Sequence, residues 1–133
     1  MEMQGFPVTI MRMEEWGVPD FYELVLVASE NTVNQKGDLV KSFVKATAMG
    51  FADAIKEPQK AVDVLVQSNP ETDKTLETRG IDLLAPLWMH NVPAFGWQTN
   101  TRWQNISAWM KDRGILNQEV NESEAFTSEF VHN

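Results

Sequence analysis

Glu14-Glu15-Trp16-Gly17-Val18-Pro19-Asp20-Phe21-Tyr22-Glu23-Leu24-Val25-Leu26-Val27 joins a stretch of alternating polarity to one that is apolar throughout. Upstream, Phe6, Val8 and Ile10 alternate with Pro7, Thr9 and Met11, and the period of two runs on into Arg12 and Met13. Alternate side chains fall on opposite faces of a strand, so the pattern predicts a strand over 7–13 with one buried face. Downstream, the continuous run Leu24–Ala28, bounded by Glu23 and Ser29-Glu30, predicts a strand covered on both faces. Between them lie a Gly, a Pro, several carboxylates, a Trp and the chain's one Tyr. Two buried strands crossing through polar and aromatic residues describe a hinge or a cleft floor. A ligand is expected there.

After residue 28 the period changes and helices dominate. Asp38 is placed to cap a helix with an apolar face of Val40, Phe43, Val44, Thr47, Phe51, Ala54 and Ile55. Pro58 ends it and opens a second helix with a stripe of Val62, Leu65 and Val66. Asn69-Pro70 reads as the cap and first position of a third, which carries Leu76, Leu83, Leu84, Leu87 and Trp88 and is weakened at Gly80 and Pro86. Residues 90–99, rich in turn formers, read as an irregular loop. A fourth helix begins at Asn100 or Thr101, presents Trp103, Ile106 and Met110, and stops at Gly114. From Ser123 a short tail element sets Phe126 and Phe130 four apart, close enough to pack.

The fold class is therefore α/β but helix-rich, with two or so strands followed by four to five helices in a single domain over 1–133. Two strands alone make a marginal sheet. The sheet is expected to be completed by oligomerisation, as a homodimer or an intertwined assembly.

Composition narrows the functional classes. Of 133 residues 43% are hydrophobic, which suits a folded domain rather than a disordered chain. A net charge of −8 without a Lys/Arg cluster argues against nucleic acid as a partner. No cysteine is present, so disulfides and thiolate metal sites are absent. No apolar run approaches the ~18 residues of a membrane span. Met1-Glu2-Met3-Gln4-Gly5-Phe6-Pro7 has neither the basic nor the apolar region of a targeting signal. His90 and His132 lack metal-ligand spacing, and there is no Ser/His/Asp set or Gly-rich phosphate loop. Catalytic residues, metal and cofactor are all read as none.

The serial order of several segments carries a resemblance. It runs through Gly17–Val27, Asp38–Thr47, Gly50-Phe51, Ala54–Pro58, Trp103–Asn105, Trp109-Met110, Gly114–Leu116 and Ala125–Phe130. The chain resembles the C-terminal part of NMT1/THI5-like substrate-binding proteins of ABC importers, which bind thiamine pyrimidine precursors. The resemblance implies part of a type II periplasmic-binding-protein-like lobe, with lobe-crossing strands over 7–28 and helical cladding over 38–131. The rest of the two-lobed parent would then lie outside this chain. It further implies a formylaminopyrimidine or hydroxymethylpyrimidine ligand, an ABC permease as partner, and an extracytoplasmic parent.

In that frame Glu14, Glu15, Trp16 and Tyr22 are the ligand candidates, and Gly17, Val18 and Pro19 are the hinge. A carboxylate can engage the amino group and ring nitrogens of an aminopyrimidine, and an aromatic ring can stack on its face. Against this, adjacent glutamates in an acidic protein can simply be solvated, and Tyr22 can serve a strand end. Glu14 and Glu15 would point to opposite faces of an extended segment, so they make a poor acid/base pair. Trp97 is expected to pack over helix ends; Trp88, Trp103 and Trp109 belong to helix interfaces. Two other readings stand beside the importer component. One is a pyridoxal-phosphate-dependent pyrimidine synthase whose reactive residues lie outside the chain; the other is a helical dimerisation module without ligand.

Overall fold

A computed structural model describes residues 5–131. The chain divides into two compact units, one of residues 1–25 and 98–126, the other of residues 26–97 and 127–133.

The second unit is built on three helices preceded by a short one. Ser29 opens α1 (Glu30–Gln35), its hydroxyl oxygen accepting the Thr32 N–H at 3.2 Å. This helix was not expected, because Ser29-Glu30 had been read as the boundary of a strand. Helix α2 (Gly37–Lys56) follows at once, so Asp38 is not its cap but lies in its first turn. There its charge opposes the positive end of the helix dipole. Val40, Val44, Thr47, Phe51 and Ala54 turn inward, whereas Phe43 and Ile55, expected on the same face, are exposed.

Pro58 occupies the first turn of α3 (Pro58–Ser68), where a missing N–H costs nothing. This helix packs against both α2 and α4 (Lys74–Trp88). Val62, only 2% exposed, sits at the centre of that arrangement, while Leu65 of the expected stripe is exposed. Asn69-Pro70 does not start the next helix. Its first residue closes α3, donating its N–H to the Leu65 carbonyl, and the following proline disfavours a helical backbone at Asn69, where φ is −138° and ψ 89°. Asp73 is the cap instead, one carboxylate oxygen accepting from the Thr75 and Leu76 N–H groups at 2.9 and 3.1 Å. Asp73→Ala should lower stability by about 1 kcal/mol, measured by urea denaturation followed by far-UV circular dichroism.

Helix α4 keeps Pro86 inside and runs two residues further, so only its last turn forgoes a hydrogen bond. Its half-buried face is Thr78, Ile81, Ala85 and Trp88. Of the apolar residues that this helix was expected to carry, Leu76, Leu83, Leu84 and Leu87 are exposed. Phe51 of α2 ties the two ends of this unit together. It stacks on Phe95 at 4.1 Å between centroids and meets Trp88 edge-on at 4.7 Å. Lys74 reaches Asp63 of α3 at 2.6 Å, and this hydrogen bond, with one from Gln59, holds the Asp63 carboxyl below its usual range.

The first unit centres on α5 (Asn100–Asp112), capped by Thr99 and ended at Gly114 with φ +70°. Trp103, Ile106 and Met110 do share its covered side, and Ile106 and Ser107 are buried. The Ser107 hydroxyl accepts the Val120 N–H and folds segment 115–121 back on the helix. Ion pairing of Lys111 with Glu119 (2.8 Å) and a Gln104–Glu122 hydrogen bond (2.6 Å) reinforce the return. Asn121 then caps α6 (Glu122–Ala125). Because α6 ends there, the expected Phe126–Phe130 pair does not form. Phe126 lies parallel to Trp103, with centroids 6.0 Å apart, and Phe130 lies beside Gly37 in the other unit's helical set.

Among the described residues there is no strand. Segments 7–13 and 24–28 were each expected to be a strand, but a strand exists only through a ladder to a neighbour, and neither segment has one among the described residues. Leu24 and Val27, expected to be covered on both faces, are 91% and 89% exposed. The helix-rich character holds, and neither expected strand forms among the described residues. No helix among the described residues is long and apolar enough to cross a membrane.

Candidate functional site

The joint between the two expected strands is shaped by its glycine. Met13–Trp16 closes into a 3-10 turn. Gly17, at φ +82°, returns its N–H to the Glu14 carbonyl at 3.3 Å, and Val18 donates to the Met13 carbonyl at 3.2 Å. A left-handed backbone of this kind is strained for any residue with a Cβ. The glutamates therefore do not lie on an extended segment with opposite faces; they share one tight turn. Arg12 pairs with Glu14 at 3.7 Å, with both side chains in solvent. Trp16 is 67% exposed, and Val18 and Pro19 are half-buried.

Tyr22 lies elsewhere in the same unit and is engaged. Its hydroxyl oxygen accepts the Thr99 N–H at 2.9 Å, at the start of α5. The Arg102 guanidinium lies 4.6 Å above the Tyr22 ring and forms an ion pair with Asp20. The Trp103 ring is 6.0 Å from Tyr22 at a 41° tilt, and its indole N–H donates to Gln98 at 2.8 Å. Thus Glu14, Glu15 and Trp16 stand together on one exposed turn. No hydrogen bond, ion pair or ring contact joins them to Tyr22 among the described residues. Sequence reading missed Asp20 and Arg102, which are 82 positions apart and carry no local signal of their pairing.

Among the described residues no three His, Asp or Glu side chains gather to hold a metal ion. His90 hydrogen-bonds Asn91 at 2.9 Å within its loop, and His132 lies outside the described residues. An open depression of about 630 Å³ is bounded by Leu116–Asn121, Glu124 and Ala125, and no residue of the joint lines it. What the turn can offer a small molecule is one exposed indole face flanked by two carboxylates.

Residues 1–61 match the family described as NMT1/THI5 like, and the resemblance drawn from the sequence is borne out. Curated relatives extend the likeness along the chain. It is 24% identical over 132 residues to a formylaminopyrimidine-binding protein of Halalkalibacterium halodurans, which covers 96% of this chain and 40% of that protein. To a riboflavin-binding protein of Chloroflexus aurantiacus it is 30% identical over 112 residues, covering 80% of this chain and 32% of the relative. A third relative is a 4-amino-5-hydroxymethyl-2-methylpyrimidine phosphate synthase of Legionella pneumophila, 22% identical over 111 residues, with 84% and 34% covered. The chain thus spans between 32% and 40% of the length of these relatives.

Proposed function

We propose that this chain is the C-terminal part of a solute-binding protein that captures a planar nitrogen heterocycle for an ABC importer. The observation that carries the reading is the match over nearly the whole chain to a protein named for binding formylaminopyrimidine. A riboflavin-binding relative widens the ligand class without changing its chemistry, since the flavin ring system contains a fused pyrimidine. Trp16 supplies a face on which such a ring stacks, and Glu14 and Glu15 supply acceptors for its N–H groups. Tyr22 belongs to the frame around the site, because its hydroxyl is already bonded to Thr99. Gly17, Val18 and Pro19 act as the hinge by which two lobes of the complete protein close on the ligand. The permease partner and an extracytoplasmic location belong to the same proposal.

Titration of the protein with riboflavin, followed by ligand fluorescence, and calorimetry with formylaminopyrimidine and hydroxymethylpyrimidine test this reading. Saturable binding of one of the three is expected, weakened roughly three- to tenfold by Trp16→Ala through loss of stacking. Absence of saturable binding to all three overturns it. The synthase relative favours a second reading, that of an enzyme making a pyrimidine phosphate. Binding strengthened by attaching a phosphate to the pyrimidine would point to that reading.

A further inference from the structure

We propose that Asp20, Tyr22 and Arg102 form a latch that fastens the downstream end of the joint to the start of α5 and leaves Gly17–Pro19 as its pivot. The asymmetry of the contacts carries the proposal. Upstream, the Met13–Trp16 turn is held by bonds to its own neighbours: Glu15 N–H to Arg12, Gly17 N–H to Glu14, Val18 N–H to Met13 and the Arg12–Glu14 pair. Downstream, Asp20 and Tyr22 make contacts that reach far along the chain. The Tyr22 hydroxyl binds the Thr99 N–H, Asp20 binds Arg102, and Tyr22 touches both Arg102 and Trp103.

Arg102 holds two parts of the latch at once, with its charge on Asp20 and its plane over the Tyr22 ring. A guanidinium is suited to this because it can pair through its edge while its face lies on an aromatic ring. The helix supports the arrangement locally, since the Thr99 hydroxyl accepts the Arg102 N–H at 3.4 Å. Between the two ends stand Gly17, whose missing Cβ permits other backbone angles once the Val18 N–H leaves the Met13 carbonyl, and Pro19, whose ring fixes its own φ. Loss of the Val18–Met13 bond therefore lets rotation at Gly17 swing Glu14, Glu15 and Trp16 as one body while Tyr22 stays in place. Only the use of that swing in ligand capture rests on the function proposed above. Arg102 is a positioning residue.

Backbone amide exchange and relaxation measured by nuclear magnetic resonance, without any ligand, test the latch. In Tyr22→Phe the Thr99 amide should exchange about tenfold faster, the effect of losing one hydrogen bond worth ~1.4 kcal/mol. Residues 20–22 should gain fast motion while Met13–Trp16 is unaffected. Asp20→Arg and Arg102→Asp should each loosen residues 20–22, and the two together should restore them in part, by the ion pair but not the contact with the Tyr22 ring, which a purely steric role would not do. Unchanged Thr99 protection in Tyr22→Phe overturns the proposal, as does equal loosening of 13–16 and 20–22. Should Tyr22→Phe lose its helical signal, Asp20→Asn supplies the same readout at 20–22. Because no ligand enters, failure here is distinct from failure of the heterocycle titrations.

Discussion

Val62→Asp is expected to abolish cooperative unfolding of the unit that contains α2, α3 and α4. Val62 is among the most enclosed side chains of the described residues, and its helix is the one packed against both neighbours. An unpaired carboxylate there loses its hydration and gains no partner, a cost of several kcal/mol. That must be set against a typical net stability of about 5–15 kcal/mol. The margin in this chain is narrow, because Val62, Ala94 and Ile106 are the buried hydrophobics among the described residues while many large apolar side chains remain exposed. Val62→Ala removes volume without adding charge and should cost about 1–3 kcal/mol, leaving a cooperative transition at lower urea. The measurement is far-UV circular dichroism against urea for the three proteins. A Val62→Asp midpoint close to that of the unsubstituted chain would show that α3 does not centre this unit.

What could be foreseen about each unit was what its sequence states locally. Pro58 marks a first turn by its own ring, and Gly114 marks a stop by its tolerance of positive φ, so these boundaries were legible. Asn69-Pro70 misled because the same pair that opens one helix can close the preceding one, and Asp73 lay close by as a competing cap. Apolar content identified α4 as amphipathic but not which side was covered. Leu76, Leu83 and Leu87 and the set Ile81, Ala85 and Trp88 are both apolar at helical spacing, and packing against neighbours chose the second. At the joint, Trp16 and the two glutamates were legible as a cluster because they are adjacent. Tyr22 was singled out, but its partners could not be, since Thr99 and Arg102 approach it only through the fold. The strand at 24–28 failed for the opposite reason. Its sequence has every local property of a strand, but a ladder requires a neighbour that local properties do not supply.

That unmet requirement leads to an expected self-association. At high micromolar concentration the chain should have a mass above the 15.1 kDa of one copy in multi-angle light scattering. All four of Leu24, Val25, Leu26 and Val27 are exposed, and once extended in a ladder they would alternate, Leu24 and Leu26 on one face and Val25 and Val27 on the other. Such a segment offers free N–H and C=O groups together with apolar side chains on both faces, a template for pairing with another copy. Burying a Leu or Val side chain contributes roughly 1.5–3 kcal/mol, so two copies pairing over these residues gain enough to offset the cost of association only if most of the four are covered. Leu24→Lys with Val27→Lys places a charge on each face and should return the mass to that of a monomer. The exposed α4 leucines are a competing source of association, so Leu83→Lys with Leu87→Lys is the paired control. If that control alone yields the monomer, association runs through the helix and not the strand-like segment. If the unsubstituted chain is monomeric at the same concentration, the apolar run at 24–27 does not pair between copies at all.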